Sequence, residues 1–129
     1  MPEPPVIAIV DDDASVCRAL SRLVRSLGMS PSTFTSGDEF LSLMDGAPGF
    51  APACVILDVQ MPGMNGLAVQ ARLARRTPPT PVVFITAHDA AGVRERALAA
   101  GALAYLRKPF SDEVLAQTLE LSLRRGERG

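Results

Sequence analysis

Short apolar runs alternate along the chain with segments in which apolar residues recur at helical spacing. The runs are rich in β-branched or aromatic residues and end at turn-forming residues, a pattern typical of buried strands. They lie at residues 6–10, 53–57, 82–86 and 102–106, and a weaker strand pattern lies near residues 29–34. The sequence therefore predicts five strands.

The intervening segments are predicted to be helices. In the first, apolar residues recur every three or four positions and Gly28 supplies a C-terminal stop. Ser36 and Glu39 have the spacing of a capping box. Further helices are predicted at residues 66–76, 90–100, ended by Gly101, and 111–125, capped by Ser111.

Strict alternation of strands and helices predicts an α/β fold, a five-stranded parallel sheet that is doubly wound, with helices on both faces. Ligands of such sheets bind beyond the carboxyl ends of the strands. Polar residues end or follow four of the predicted strands, namely Asp11, Asp12, Asp58, Thr86 and Lys108. We expect them to form one functional edge. Asp13 is instead assigned to the start of the first helix, where its charge suits the helix dipole.

Composition indicates one folded domain. A chain of 129 residues can bury a substantial core, and 47% hydrophobic residues with a net charge of -1 argue against disorder and against a nucleic-acid-binding surface. We assign residues 6–125 to the domain, residues 1–5 to a disordered N-terminus, and residues 126–129 to the start of a linker or tail.

The cysteines and the N-terminus indicate a soluble, cytoplasmic protein. Cys17 and Cys54 lie in apolar surroundings without metal-ligand or redox-pair spacing, so we expect reduced, buried thiols. The opening MPEPP does not have the organisation of a signal peptide, and no apolar run approaches membrane-spanning length.

Adjacent carboxylates at one edge need a counter-charge, because two unit charges about 4 Å apart repel by about 4 kcal/mol at an effective dielectric near 20. Oxygen ligands without a cysteine or histidine cluster favour Mg²⁺ over zinc, and Mg²⁺ commonly bridges carboxylates to phosphate. Asp58, alone at its strand end, is the predicted nucleophile toward phosphorus, and Asp11 and Asp12 are the predicted cation pair. Lys108, the single lysine among 13 basic residues, is predicted to contact a phosphoryl oxygen.

Four motifs together resemble the receiver domain of two-component response regulators. They are IVDDD at 9–13, VILDVQMPGMNG at 55–66, VVFITAHD at 82–89 and YLRKPF at 105–110. The chain is most similar to the branch that joins receivers to helix-turn-helix output domains. The resemblance implies a flavodoxin-like (βα)5 fold.

The resemblance also implies the chemistry at the first two motifs. Asp58 would accept a phosphoryl group from a sensor histidine kinase. Asp12, Asp58 and the main-chain carbonyl of Gln60 would bind Mg²⁺ directly, with Asp11 acting largely through water. The domain would be a signalling switch rather than an enzyme, with only self-phosphotransfer and autodephosphorylation.

The last two motifs imply how the signal leaves the site. Thr86 and Lys108 would hold the phosphoryl group, Lys108-Pro109 would be a cis peptide, and Tyr105 would be the aromatic switch. We hypothesise that movement of Thr86 lets Tyr105 turn inward, which remodels the face made by the fourth helix, fifth strand and fifth helix. A DNA-binding output domain would lie outside this chain, and the chain itself would contact no membrane or nucleic acid. Homodimerisation on phosphorylation stays open.

Other functions for this fold agree less well with the residues at the predicted site. A haloacid-dehalogenase-like phosphatase would need a carboxylate where Gln60 stands, and a flavin would be repelled by the acids after the first strand. A receiver-like docking module that is never phosphorylated remains the alternative. His88 occupies a position that in the family tunes the access of water to the acyl phosphate. A lone histidine on a loop, however, is more typical of a solvated surface group. The helix face of Arg18, Arg22 and Arg25 is either a solvated surface or a kinase contact.

Overall fold

The computed structural model describes residues 3–128, with residues 125–128 described by their helical backbone alone. Strands and helices alternate throughout. They are β1 Val6–Val10, α1 Ala14–Ser26, β2 Ser30–Phe34, α2 Gly37–Gly46, β3 Cys54–Asp58, α3 Gly66–Leu73, β4 Val82–Thr86, α4 Val93–Ala99, β5 Ala104–Arg107 and α5 Asp112–Arg128. The predicted five strands and five helices are therefore confirmed.

The five strands form one parallel sheet in the order β2-β1-β3-β4-β5. β1 and β3 are neighbours, with Val10 opposite Leu57, and Asp58 at the end of β3 lies opposite Ile85 of β4. Adjacent parallel strands deliver their carboxyl ends to the same edge, so the residues after β1, β3 and β4 lie side by side. The predicted parallel architecture is confirmed.

Alternate residues of each strand pack into two separate hydrophobic clusters, one on each face of the sheet. Val10 and Leu57 pack with residues of α2, α3 and α4. Ile9 and Ile56 pack on the opposite face with residues of α1 and α5. Since the central strands are buried on both faces, they need continuous apolar runs, which explains the pattern in the sequence.

Side-chain caps begin the helices where the sequence predicted. Asp13 accepts hydrogen bonds from the backbone amides of Ser15 and Val16 at α1, and Ser36 accepts one from the amide of Glu39 at α2. Ser111 accepts one from the third residue beyond it, at 3.1 Å. Gly28 and Gly101, which follow α1 and α4, have positive φ angles of 81° and 104°. Glycine suits both positions because it lacks a Cβ.

Several boundaries differ from the predicted ones. α4 begins at Val93 rather than near residue 90, because Gly92 is left-handed (φ 82°) and supplies no side-chain cap. α3 ends at Leu73, before the proline-rich turn. β5 continues to Arg107, so that Lys108 follows it directly and donates its amide to the Thr86 carbonyl at 2.8 Å.

The two chain ends lie partly outside the described residues. Residues 1, 2 and 129 fall there, within the predicted N-terminus and tail. The carbonyl of Pro5 accepts a hydrogen bond from the amide of Ser30 at 2.9 Å, so this residue is paired with β2. At the other end α5 continues to Arg128, three residues past the predicted boundary.

The cysteine prediction is confirmed, since Cys17 and Cys54 are both free and buried. The Lys108-Pro109 peptide is cis, as the family resemblance implied, and Thr77-Pro78 is cis as well. Among the described residues, no helix combines the length and apolar character needed to span a membrane.

Candidate functional site

Three carboxylates meet at the carboxyl edge of the sheet. Asp11 and Asp12 follow β1, and Asp58 is the last residue of β3. Each offers one oxygen atom, and the three atoms lie within 4.8 Å of one another. Asp11 and Asp58 are buried, whereas Asp12 is exposed to solvent. The structure thus brings together the three acids that the sequence selected.

The Lys108 ammonium contacts Asp11 rather than Asp58. Its Nζ donates to Asp11 Oδ2 at 3.0 Å, with the Asp11 side chain 1% exposed and the Lys108 side chain 22% exposed. The other carboxylate oxygen, Asp11 Oδ1, accepts the backbone amide of Asp13 at 2.9 Å. A buried carboxylate is costly unless paired and hydrogen-bonded, and Asp11 meets both conditions.

Asp58 is less well compensated. The residue is only 6% exposed to solvent. Burial and then the neighbouring charge of Asp11 raise the pKa of Asp58 to about 6, against an ordinary 3.8, although Lys108 and the backbone amide of Gln60 act to lower it. Asp58 therefore carries its charge near neutral pH at a cost, which a bound cation would relieve.

The loop after β3 packs closely against Asp58. A Cβ at Gly66 would overlap the Asp58 carbonyl oxygen and would lie 3.0 Å from both the Phe84 ring and the Cα of Val59. The Gly66 amide donates to the Val59 carbonyl at 2.8 Å, which closes the loop. The sequence pattern predicted Gly66 only as the start of a helix. Its place eight residues after Asp58, directly after the Asn65 cap, was the available signal.

Thr86 lies at the same edge, but its hydroxyl bonds to the backbone of the adjacent turn. The side chain is buried, and its Oγ1 donates to the His88 carbonyl at 2.7 Å while accepting the His88 amide at 3.1 Å. His88 is itself exposed, in agreement with a solvated loop histidine. The Thr86 hydroxyl therefore fixes the turn that follows β4, instead of facing the carboxylates as a free donor.

Tyr105 is already buried, at 7% exposure, and its ring centroid lies 6.4 Å from that of Phe84. The hypothesis from the sequence was that this ring turns inward only after Thr86 moves. In the structure the ring is already inward, while the Thr86 hydroxyl is still hydrogen-bonded to His88. The Tyr105 hydroxyl donates to Asp89 Oδ1 at 3.2 Å. Burial, followed by the contact with Asp89, raises the pKa of Tyr105. Asp89 lies within one of the four sequence motifs but was not among the predicted site residues.

The remaining candidates are Gln60, whose backbone amide interacts with Asp58, and the arginine face of α1. The side chain of Gln60 does not share the burial of Asp58. Gln60 is exposed on the loop after β3. Arg18, Arg22 and Arg25 line a groove of about 410 Å³ between α1 and the end of β2, together with Ser21 and Thr33 among others. Both interpretations of this arginine face, solvation and partner contact, are compatible with that position.

Comparison with known proteins agrees with the geometry. The chain is 41% identical over 119 residues to "Response regulator protein TmoT" of Ectopseudomonas mendocina, covering 92% of this chain and 53% of the relative. It is 33% identical over 121 residues to "Transcriptional regulatory protein FixJ" of Bradyrhizobium diazoefficiens, covering 94% of this chain and 58% of the relative. The chain thus spans little more than half the length of these curated relatives.

Solved structures show the same similarity. A response regulator receiver protein from Burkholderia phymatum superposes with a TM-score of 0.83 at 59% identity, covering 93% of this chain and 95% of that one. Residues 7–120 match the family described as "Response regulator receiver domain". The motifs, the parallel sheet and the edge of converging acids agree with that match, and the chain belongs to the response regulator receiver domain family.

Proposed function

We propose that this receiver domain is a signalling switch in which Asp58 takes a phosphoryl group from a histidine kinase. The observation that carries the proposal is the meeting of Asp11, Asp12 and Asp58 at one edge of the sheet, beside the Lys108 ammonium. Such a site pairs an ionised oxygen nucleophile with groups that stabilise the charge of a phosphoryl group.

The donor set fits Mg²⁺, because the cluster offers three hard carboxylate oxygens. We propose that Asp12, Asp58 and the main-chain carbonyl of Gln60 hold the ion directly. Asp11 would act through water, which is supported by the two hydrogen bonds that its oxygens already accept from Asp13 and Lys108. When bound, Mg²⁺ would offset the repulsion among the carboxylates and the charge of the phosphoryl oxygens.

In the proposed reaction, an Asp58 carboxylate oxygen forms a new bond to phosphorus. The bond between phosphorus and the donor breaks, its electron pair leaves with the donor, and an acyl phosphate results. Water later cleaves the acyl phosphate and returns the free carboxylate. Because the domain modifies its own side chain, it acts on no separate substrate and serves as a switch.

We propose that Lys108 and Thr86 then exchange partners. Lys108 would leave Asp11, and the Thr86 hydroxyl would leave the His88 backbone, so that both donate to phosphoryl oxygens. Charge-assisted hydrogen bonds contribute roughly 1.5–3 kcal/mol each. Two of them approach the ~5.5 kcal/mol that reverses a 1:99 population. Since both groups first give up existing contacts, we expect them to bias the switch rather than complete it alone.

The output of the switch is proposed from the relatives. FixJ is named as a transcriptional regulatory protein, and this chain covers 58% of it. We propose that the face of α4, β5 and α5 transmits phosphorylation to a DNA-binding output domain beyond residues 6–125, or to a separate partner. The domain itself would contact neither membrane nor nucleic acid, and it would meet its kinase in the cytoplasm.

The test is the intact mass of the protein after incubation with acetyl phosphate and Mg²⁺. The parent should gain the mass of one phosphoryl group, and Asp58→Asn should gain none. Asp38→Asn, which removes an exposed acid on α2, is the control and should behave as the parent. No adduct on the parent under these conditions would favour the docking module. An adduct on Asp58→Asn would place the acceptor elsewhere.

A further inference from the structure

The Tyr105 hydroxyl has a side-chain partner that the proposed switch does not use. It donates to Asp89 Oδ1 at 3.2 Å, across 16 positions of the sequence. The second oxygen of the same carboxylate, Asp89 Oδ2, lies 3.7 Å from Nε of Arg107. Asp89 therefore lies between a buried phenol and a guanidinium, on the turn that follows β4.

This contact bears on the orientation of the tyrosine ring. Tyr105 is 7% exposed and packs against Phe84, so the apolar part of the ring favours the buried position. The hydroxyl favours it only with a partner, because a buried hydroxyl left without one costs more than its hydrogen bond contributes. Among the described residues, Asp89 is the side chain that meets hydrogen-bond geometry with this hydroxyl, and the Thr86 side chain interacts with it more weakly.

Two further contacts bear on the position of this carboxylate, of which the exposed ion pair is the weaker. Arg107, next to Lys108 at the end of β5, offers a positive charge that partly offsets that of Asp89. The Thr86 hydroxyl bonds the carbonyl and the amide of His88, the residue directly before Asp89. The turn that presents Asp89 is therefore fixed while Thr86 has no other partner.

We propose that Asp89 is a positioning residue that holds Tyr105 in its buried orientation before any phosphoryl group is present. The inward ring would then be set by Asp89 and not by the movement of Thr86. The significance of that ring for signalling rests on the proposed function, but the positioning itself does not. A hydrogen bond to a charged acceptor such as a carboxylate changes the ratio of buried to exposed rotamers by roughly tenfold or more.

The sequence provides a direct probe, because the chain contains one tyrosine and no tryptophan. Intrinsic fluorescence therefore reports on Tyr105 alone. The experiment measures the bimolecular quenching constant for acrylamide, corrected for fluorescence lifetime, in the full chain without a phosphodonor. Asp89→Ala should shift the rotamer ratio toward the exposed ring by about tenfold, and the quenching constant should therefore increase roughly threefold or more. Glu95→Ala, which removes an exposed acid on α4, is the control and should leave it unchanged.

Equal quenching constants in the parent and in Asp89→Ala would overturn the proposal. Asp89→Asn gives a second test that does not depend on the alanine variant folding. Asparagine keeps an acceptor oxygen but removes the negative charge that opposes ionisation of the phenol. The ionisation midpoint of Tyr105, followed by ultraviolet absorbance, should therefore fall in Asp89→Asn. An unchanged midpoint would mean that the two side chains are not in contact in solution.

A further arm separates this proposal from the proposed function. Acetyl phosphate and Mg²⁺ should restore low quenching in Asp89→Ala and should change the parent little, because its ring is already buried. If the donor has no effect on Asp89→Ala while the variant still differs from the parent, the phosphorylation switch fails and the positioning role of Asp89 stands.

Discussion

Asp58 combines two properties that compete at the level of a single residue. It is buried beside Asp11, which opposes its negative charge, yet the proposed reaction needs that charge for attack on phosphorus. A pKa raised to about 6 leaves most of the carboxylate ionised at neutral pH. The site therefore keeps an available nucleophile at the expense of the stability of the fold.

Replacing Asp58 by asparagine should stabilise the protein in the absence of Mg²⁺. The native pKa of about 6 lies above the ordinary 3.8, so the folded state binds the proton more tightly than the unfolded state. The parent therefore loses stability as the pH rises between these two values. A difference of two pKa units corresponds to up to about 3 kcal/mol, so Asp58→Asn should gain roughly 1–3 kcal/mol at pH 7.

Chemical denaturation in a chelator at several pH values measures this effect. The advantage of Asp58→Asn should be largest above the native pKa of about 6 and should disappear below 3.8, where Asp58 is protonated in both states. Glu120→Gln, an exposed substitution on α5, should show no comparable gain. A variant less stable than the parent at pH 7 would mean that the Asp58 charge is well compensated in the apo protein.

The sequence identified the acids and the lysine because strand ends alone determine which residues share an edge of a parallel sheet. It did not identify the partner of Lys108, which is Asp11, or the contact between Asp89 and Tyr105. Both depend on side-chain rotamers and on the path of a turn, which the hydrophobic pattern does not encode. For the same reason it did not predict that Tyr105 is already buried.

At the scale of elements, the connection between β3 and α3 fixes the position of Asp58. The last residue of β3 carries the carboxylate, and the first residue of α3, Gly66, lies directly against its carbonyl group. The atoms that a Cβ would meet there belong to the backbone and to a core ring, which cannot move independently of the sheet. Gly66 therefore permits a close approach that other residues would prevent.

Gly66→Ala should destabilise the fold by about 1–3 kcal/mol, because overpacking at this position displaces the loop or the strand. It should also slow phosphoryl uptake, since Asp58 would shift with its own carbonyl. The matched control is Gly46→Ala at the end of α2, where a Cβ would meet no atom within 4 Å. Denaturation midpoints and adduct formation are compared for the two variants. Equal stability of both would contradict the proposed close packing at Gly66.

Element types could be predicted from the sequence more completely than their boundaries. All strands and helices were predicted because their apolar spacing reflects burial on one or both faces of the sheet. α4 was predicted too long, since it begins at a left-handed glycine without a side-chain cap and buries only Ala97. A helix with so little burial leaves a weak pattern, and its ends depend on turn geometry.

At the scale of the whole molecule, the two hydrophobic clusters hold the sheet rigidly and leave its carboxyl edge for chemistry. Asp11 and Asp12, Asp58, Thr86 and Lys108 come from four different strand ends, so the site exists only when the sheet is complete. No strand-helix unit carries it alone. The central claim is that these separate elements form one site, in which a cation bound by the acids prepares Asp58 for phosphorylation.

The most direct test of this claim is the initial rate of phosphoryl uptake from acetyl phosphate, measured by intact mass over a range of free Mg²⁺ concentrations. The parent rate should rise with Mg²⁺ and saturate. In Asp12→Asn, which keeps the nucleophile but removes one proposed ligand, half-saturation should need roughly tenfold more Mg²⁺ or higher, the loss expected from about 1.4 kcal/mol of binding free energy. A parent rate independent of Mg²⁺, or identical curves for the two proteins, would contradict the account.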